Sequence, residues 1–227
     1  MACCASAALL LRFQVNNFIG ARPYARRAAT ASAALLTRGL SAPVCFSRGQ
    51  GYLVAMTERL MPQDVVLALK LVLVRGTAWT EAEVAAALFV PEGEVFEGLR
   101  RLAACHLYNP VDRRVIRASL CEFLVHGVRY VFPASPGGRG YGIPTSLRGS
   151  SLGGSLVFDE DDYLVWPAEA GALRHGRVVA RLHSNVPQAA ASDGRLHEYL
   201  ALVDALRVGR ARERALASAE LERVLAA

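Results

Sequence analysis

Residues 80–107 read TEAEVAAALFVPEGEVFEGLRRLAACHL, and the spacing within them decides how the chain folds. Thr80 with Glu83 makes the T-x-x-E pattern of a capping box, in which each side chain satisfies a backbone N–H that the first helical turn leaves unpaired. A helix therefore opens at Thr80 and runs through Leu88. Phe89 and Val90 leave room only for a short connection. Pro91 opens the next helix, since its missing N–H costs nothing at that position. Val95, Leu99 and Leu102, spaced by four and three, form its apolar stripe, and it ends near His106. Working outward, Pro62 starts an earlier helix with Val65, Val66, Leu69, Val72 and Leu73 on one side and Arg75-Gly76 as a stop. Downstream, Leu107-Tyr108, a turn at Asn109-Pro110 with Asp112, and Val115-Ile116 predict a two-stranded ribbon.

Beyond the ribbon, Leu120, Cys121, Phe123 and Leu124 predict a helix ending at His126-Gly127. His126 at a helix C-terminus would gain from the dipole when protonated, or simply cap and pack. Tyr130-Val131-Phe132 stopped by Pro133 reads as a strand. Ala134 to Ser155 is Gly-, Pro- and Ser-rich and reads as a flexible loop. It lacks G-x-G-x-x-G, and Lys70, the one lysine of the chain, lies far from it, so a phosphate-cradling loop is excluded. Gly149-Ser150-Ser151-Leu152-Gly153 matches G-x-S-x-G, but a nucleophile elbow needs a strand before the serine and a helix after it. Pro144, Gly149 and Gly154 deny both, and no acid–base–nucleophile set stands out, so no catalytic residue is expected and the chain is not read as an enzyme. The acidic run Asp159-Glu160-Asp161-Asp162 lacks the alternating ligands of a calcium loop and reads as a solvated turn. Tyr163–Pro167 and Val178–Leu182 read as strands that share a small sheet with Tyr130–Phe132. Asp193 caps a helix striped by Leu196, Leu200, Val203 and Leu206. After Gly209 a last helix carries Leu216, Leu221, Val224 and Leu225. Arg207, Arg210, Arg212 and Arg214 gather near that junction, where a nucleic acid or acidic partner competes with internal pairing to Asp204, Glu213, Glu220 and Glu222.

The net charge of +6 belongs entirely to the first quarter of the chain. Residues 1–57 carry Arg12, Arg22, Arg26, Arg27, Arg38 and Arg48 and no acid, and the remaining 20 basic residues are matched by all 20 acidic ones. Overall basicity is therefore no argument for nucleic acid; only local patches are. Residues 1–55 read as a leader for which three explanations stand: a start upstream of the natural one at Met56, a transit peptide, or a disordered basic arm. The first is preferred, because 25 arginines against one lysine point to a GC-rich genome. Cys3, Cys4 and Cys45 fall in this leader. Cys105 and Cys121, with no C-x-x-C, read as reduced core thiols of a cytoplasmic protein. No four-ligand zinc spacing occurs, and neither a metal nor a cofactor is expected. No apolar run reaches membrane-spanning length, since Arg12 and Lys70 break the two best candidates.

Three short helices followed by a hairpin are the order of a winged helix-turn-helix. The skeleton Val84-Ala85, Leu88, Val90, Val95, Leu99, Leu102, Leu107 resembles the bacterial winged helix-turn-helix transcriptional regulators over about 60 residues. Three positions depart from that pattern. Phe89 stands where the tight turn often has Gly, Pro91 replaces the usual Ser or Thr cap, and His106 takes the place of a Gly before the wing. Glu122 to Ala134 and Leu202 to Arg214 are similar to a group of uncharacterised bacterial winged-helix proteins. That resemblance implies a regulator, and further an antitoxin partnered with a nucleotidyltransferase-like toxin.

The expected architecture is α+β: a leader at 1–55, a winged helix-turn-helix at 56–118, and a domain at 119–227 with a short β-sheet and C-terminal helices. The expected function is a dimeric, DNA-binding transcriptional regulator. Arg100 and Arg101 on the third helix and Arg113, Arg114 and Arg117 on the wing would contact phosphates of double-stranded DNA, which positions without specifying. Against this, Glu92, Glu94 and Glu97 occupy the end of the helix that normally enters the major groove, where they repel the backbone. The alternative is a protein–protein module in which the winged helix has lost DNA and its acidic face meets a basic partner.

Overall fold

The capping box at Thr80 is present in the structure, a computed structural model that describes residues 59–74, 78–154, 163–169 and 171–226. Thr80 Oγ1 accepts from the Glu83 N–H at 3.2 Å, and the Glu83 carboxylate accepts from the Thr80 N–H at 2.9 Å. The leader, the Arg75-Gly76 stop and the run Asp159–Asp162 lie outside the described residues.

Helix α1 spans Pro62–Leu73, α2 Glu81–Leu88 and α3 Glu92–Ala104, followed by the antiparallel ribbon β1 (Tyr108–Asn109) and β2 (Arg114–Val115). Asn109 shapes the turn: its Oδ1 accepts from Val111 N–H at 3.0 Å and its Nδ2 donates to Asp112 at 2.7 Å. At both positions where Gly was missing the backbone turns left-handed, as it does at Arg113 and Ser146. Phe89 closes α2 at φ +56°, and His106 leads into the ribbon at φ +58°. Each is strained by about 1–2 kcal/mol relative to a right-handed residue. At the crossing of α1 and α3, a Cβ on Gly98 would lie 2.7 Å from the end of the Leu67 side chain and 3.1 Å from the Asp64 carboxylate, so a larger residue would require those side chains to shift.

The region after the ribbon corrects several expectations. The helix predicted to stop at Gly127 continues. Helix α4 (Arg117–Glu122) passes through a π-turn, Phe123–Gly127, into α5 (Val128–Val131), so Tyr130-Val131 is helical and not a strand. Leu120, Leu124 and Val128 are all fully buried at intervals of four, and that stripe outweighs the β-branched composition. His126 therefore sits inside a continuous helical path instead of at its end. The Gly-rich segment is not all loop. Arg139–Thr145 forms β3, and it is joined by β4 (Leu164–Pro167) and β5 (Arg174–Val178), with short 3₁₀ turns at Leu147–Gly149 and Ser151–Gly154. Strand β5 precedes the expected Val178–Leu182 by several residues.

Each of these three strands pairs with the other two: β3 is antiparallel to both, and β4 runs parallel to β5. So narrow a barrel has little space inside. A Cβ on Gly142 would lie 1.9 Å from the Trp166 carbonyl oxygen, and one on Gly176 would lie 2.4 Å from that of Tyr163. The glycines that mimic a loop in sequence are the inward positions of β3 and β5.

Helices α6 (Val186–Ser192), α7 (Gly194–Val208) and α8 (Ala211–Ala226) complete the fold. One hydrophobic core runs from Val65 to Leu225 and crosses the boundary expected near residue 118. Lys70 of α1 reaches Asp193 at 2.8 Å, and the same carboxylate caps α7 by accepting from the N–H groups of Arg195 and Leu196. Burial pushes the Asp193 carboxyl up, but Lys70 and those two backbone donors outweigh it and hold it below the usual carboxylate range. Among the described residues no helix is long and apolar enough to cross a membrane.

Candidate interaction face of α3 and the ribbon

The five arginines expected to meet phosphate have different fates. Arg101 turns inward. Its guanidinium holds Asp64 in a two-pronged pair at 2.8 and 2.7 Å, and Asp64 is 1% exposed. The bond to Asp64 raises the Arg101 pKa above its ordinary value. This geometry joins α1 to α3 and leaves Arg101 no part in an outer contact. Arg117, half-buried, donates to the Leu225 carbonyl at 3.3 Å and ties α4 to the end of α8. Arg113 donates to Glu81 at 2.9 Å, and its guanidinium lies 4.5 Å from the centre of the Trp79 ring. Arg100 is exposed and pairs with Glu97 at 3.2 Å along its own helix. Arg114 stands exposed on β2.

What α3 presents outward is acidic and aromatic. Glu92, Glu94 and Phe96 are exposed and Glu97 half-exposed, with Phe96 at 57%. Phe96 lies off the Val95–Leu99–Leu102 stripe, and that offset was its sequence signal: an aromatic assigned to the wet side of an amphipathic helix. Between α3 and the ribbon runs a cleft of about 500 Å³ walled by Phe96, Leu99, Ala103, Tyr108 and Pro110, with Arg100 and Arg113 at its edge. Family models, curated proteins and solved structures yield no match to this chain.

A second cluster lies in the interior, and only Asp204 and Arg207, neighbours on one helix, hint at it in the sequence. Asp204 of α7 is fully buried and accepts from Arg207 at 2.6 Å, Trp166 Nε1 at 2.6 Å and Thr145 Oγ1 at 3.0 Å. Arg207 also donates to the carbonyls of Phe132 at 2.9 Å and Ala180 at 3.1 Å. Burial pushes the Asp204 carboxyl up, opposed chiefly by Arg207. The neighbouring His197 meets the Pro144 carbonyl at 2.8 Å, with its ring 5.6 Å from that of Trp166. Every polar group named here has a partner, so the cluster locks α7 to the barrel and to the end of α5. It also joins the stretch 122–134 to the stretch 202–214, because Phe132 belongs to one and Asp204 and Arg207 to the other.

Arg210 and Arg212 are exposed, while Arg214 donates to the Gly209 carbonyl at 2.6 Å. Ser151 sits on a 3₁₀ turn, not on a strand-to-helix elbow, and donates to Glu198. Burial raises the thiol pKa of both Cys105 and Cys121, so neither is an activated nucleophile.

Proposed function

We propose that α1, α2, α3 and the ribbon form a winged helix that serves as a protein-docking module, with α3 receiving a basic segment of a partner protein. The observation that carries this reading is Phe96, exposed on α3 with Glu92 one turn before it and Glu97 next to it in the chain. An exposed aromatic one turn from a carboxylate suits an apolar anchor beside a Lys or Arg on the partner. It suits a duplex poorly, because the groove is lined by phosphates. The family resemblance would make the partner a nucleotidyltransferase-like toxin.

A second reading, the dimeric DNA-binding regulator, is favoured by Arg100, Arg113 and Arg114. The ion pairs of the first two are exposed, and such pairs are worth only about 0–1 kcal/mol, so phosphate would displace them at little cost. The test is a titration of the full chain with labelled duplex from its own promoter across a salt series. Protein docking expects that replacing Arg100, Arg113 and Arg114 together by Gln leaves affinity and salt slope unchanged. A slope that falls by about three would overturn it and establish the regulator.

A further inference from the structure

We infer that the cleft between α3 and the ribbon binds a small carboxylic acid with an apolar aryl or alkyl body. Its volume of about 500 Å³ lies within the span usual for small-molecule sites, about 300–1,000 Å³. Ala103 and Ala104 bring only methyl groups to its wall, where longer side chains would fill it. Buried Leu99 and Tyr108 line its inner side, and exposed Phe96 and Pro110 its mouth. Such walls take an apolar body out of water but do not orient it.

Orientation comes from the two guanidiniums at the edge, Arg100 from α3 and Arg113 from the ribbon turn. Arg113 is held ready: its guanidinium lies 4.5 Å from the centre of the Trp79 ring, and its Nη2 donates to Glu81 at 2.9 Å. A group fixed before the ligand arrives loses less freedom on binding. The edge is not simply basic, since Glu81 also lines the cleft and Glu97 pairs with Arg100. Those carboxylates meet one nitrogen of each guanidinium, Nη2 of Arg113 and Nη1 of Arg100. A guanidinium carries five N–H donors in a fork, so it can hold a second carboxylate beside the first. The Tyr108 hydroxyl adds a neutral donor next to Arg113, and burial pushes its pKa up. An amine would be repelled by the two guanidiniums, and a duplex phosphate brings no apolar body for Leu99 and Ala103. The cleft shares Phe96 with the docking surface, but Arg100 and Arg113 select its ligand, so this inference stands or falls apart from that reading.

The experiment titrates the full chain by calorimetry with 3-phenylpropionate and octanoate, each beside its neutral amide, at about 150 mM salt, where distant charges are screened. Irradiation with 4-benzoylbenzoate, a photoreactive acid, followed by peptide mapping, locates the site. At least one acid should bind with a Kd under about 1 mM, and about tenfold more tightly than its amide. Arg100→Gln with Arg113→Gln should erase that preference; both side chains are exposed, so the variant keeps its fold. Ala103→Phe, which fills the cleft, should weaken acid and amide alike. The label should map to the peptides between Phe96 and Arg113. Glu92→Lys, a change of the docking surface outside the cleft, should leave acid binding unchanged, which separates a failure here from a failure of protein docking. The inference is overturned if neither acid binds, if each amide binds as tightly as its acid, if the double arginine variant binds acid as the unaltered chain does, or if the label maps only to other segments.

Discussion

Asp204→Ala removes the one carboxylate that gathers Arg207, Trp166 and Thr145 into the interior. The Arg207 side chain is 4% exposed, so its charge would remain buried with only the carbonyls of Phe132 and Ala180 for partners. Stranding one member of a buried ion pair costs about 3–5 kcal/mol. Leaving the indole N–H and the threonine hydroxyl unmatched adds about 1 kcal/mol each at the low end of the usual range. These losses share one network and do not add fully, so the expected cost is about 4–6 kcal/mol. That is comparable to the whole stability of a typical domain, about 5–15 kcal/mol. Urea unfolding followed by far-ultraviolet circular dichroism measures it. Asp204→Ala combined with Arg207→Met should be less damaging than Asp204→Ala alone, because the orphaned charge leaves as well. A cost under about 1 kcal/mol for Asp204→Ala, or a double variant as unstable as the sum of the two singles, would refute this view of the cluster.

Asp193→Asn keeps the cap on α7 but weakens the bond to Lys70, and should lower stability at neutral pH by about 1–2 kcal/mol. Because the folded-state pKa of Asp193 is held below 3.8, its contribution is complete above that value and disappears as pH falls through the folded pKa. Urea midpoints of the unaltered chain and the variant should therefore converge below about pH 4; a constant gap would count against the Lys70 bond. His106→Gly should raise stability by about 0.5–1 kcal/mol, since strain at φ +58° is relieved at some cost in chain entropy, and thermal unfolding will show the sign. Gly142→Ala would drive its methyl into the Trp166 carbonyl and should shift the Trp fluorescence of the folded state or prevent folding; an unchanged spectrum and melting temperature would disprove the tight closure of the barrel.

The helices were legible because their signals are local. Thr80 with Glu83, Pro62, Asp193 and the stripe Val95–Leu99–Leu102 each fix an element within a few residues. Strand β3 was hidden, because its alternation is Gly against Arg, Tyr and Ile. That pattern spells a loop until the other two strands close on the glycines. Tyr130-Val131 misled in the opposite sense: β-branched and aromatic residues suggest a strand, while burial of Val128 one turn beyond Leu124 carries the helix onward. Among the candidate site residues, exposure of Arg100, Arg113 and Arg114 followed from their places on helix and ribbon. The inward turn of Arg101 did not, because Asp64 lies 37 residues earlier and only the crossing at Gly98 brings them together. Asp204 and Arg207 were visible as neighbours on one helix. Their buried roles depend on Trp166, Thr145 and Phe132, which no local pattern connects.

The most direct test of docking at α3 is to place a photoreactive benzoylphenylalanine at position 96, a site exposed enough to accept it, and to irradiate cells that make the protein. Protein docking predicts a crosslink to another protein through a Lys- and Arg-rich segment, lost when Glu92, Glu94 and Glu97 are replaced by Lys. A crosslink from position 96 to DNA, or one to protein that survives this charge reversal, would contradict it.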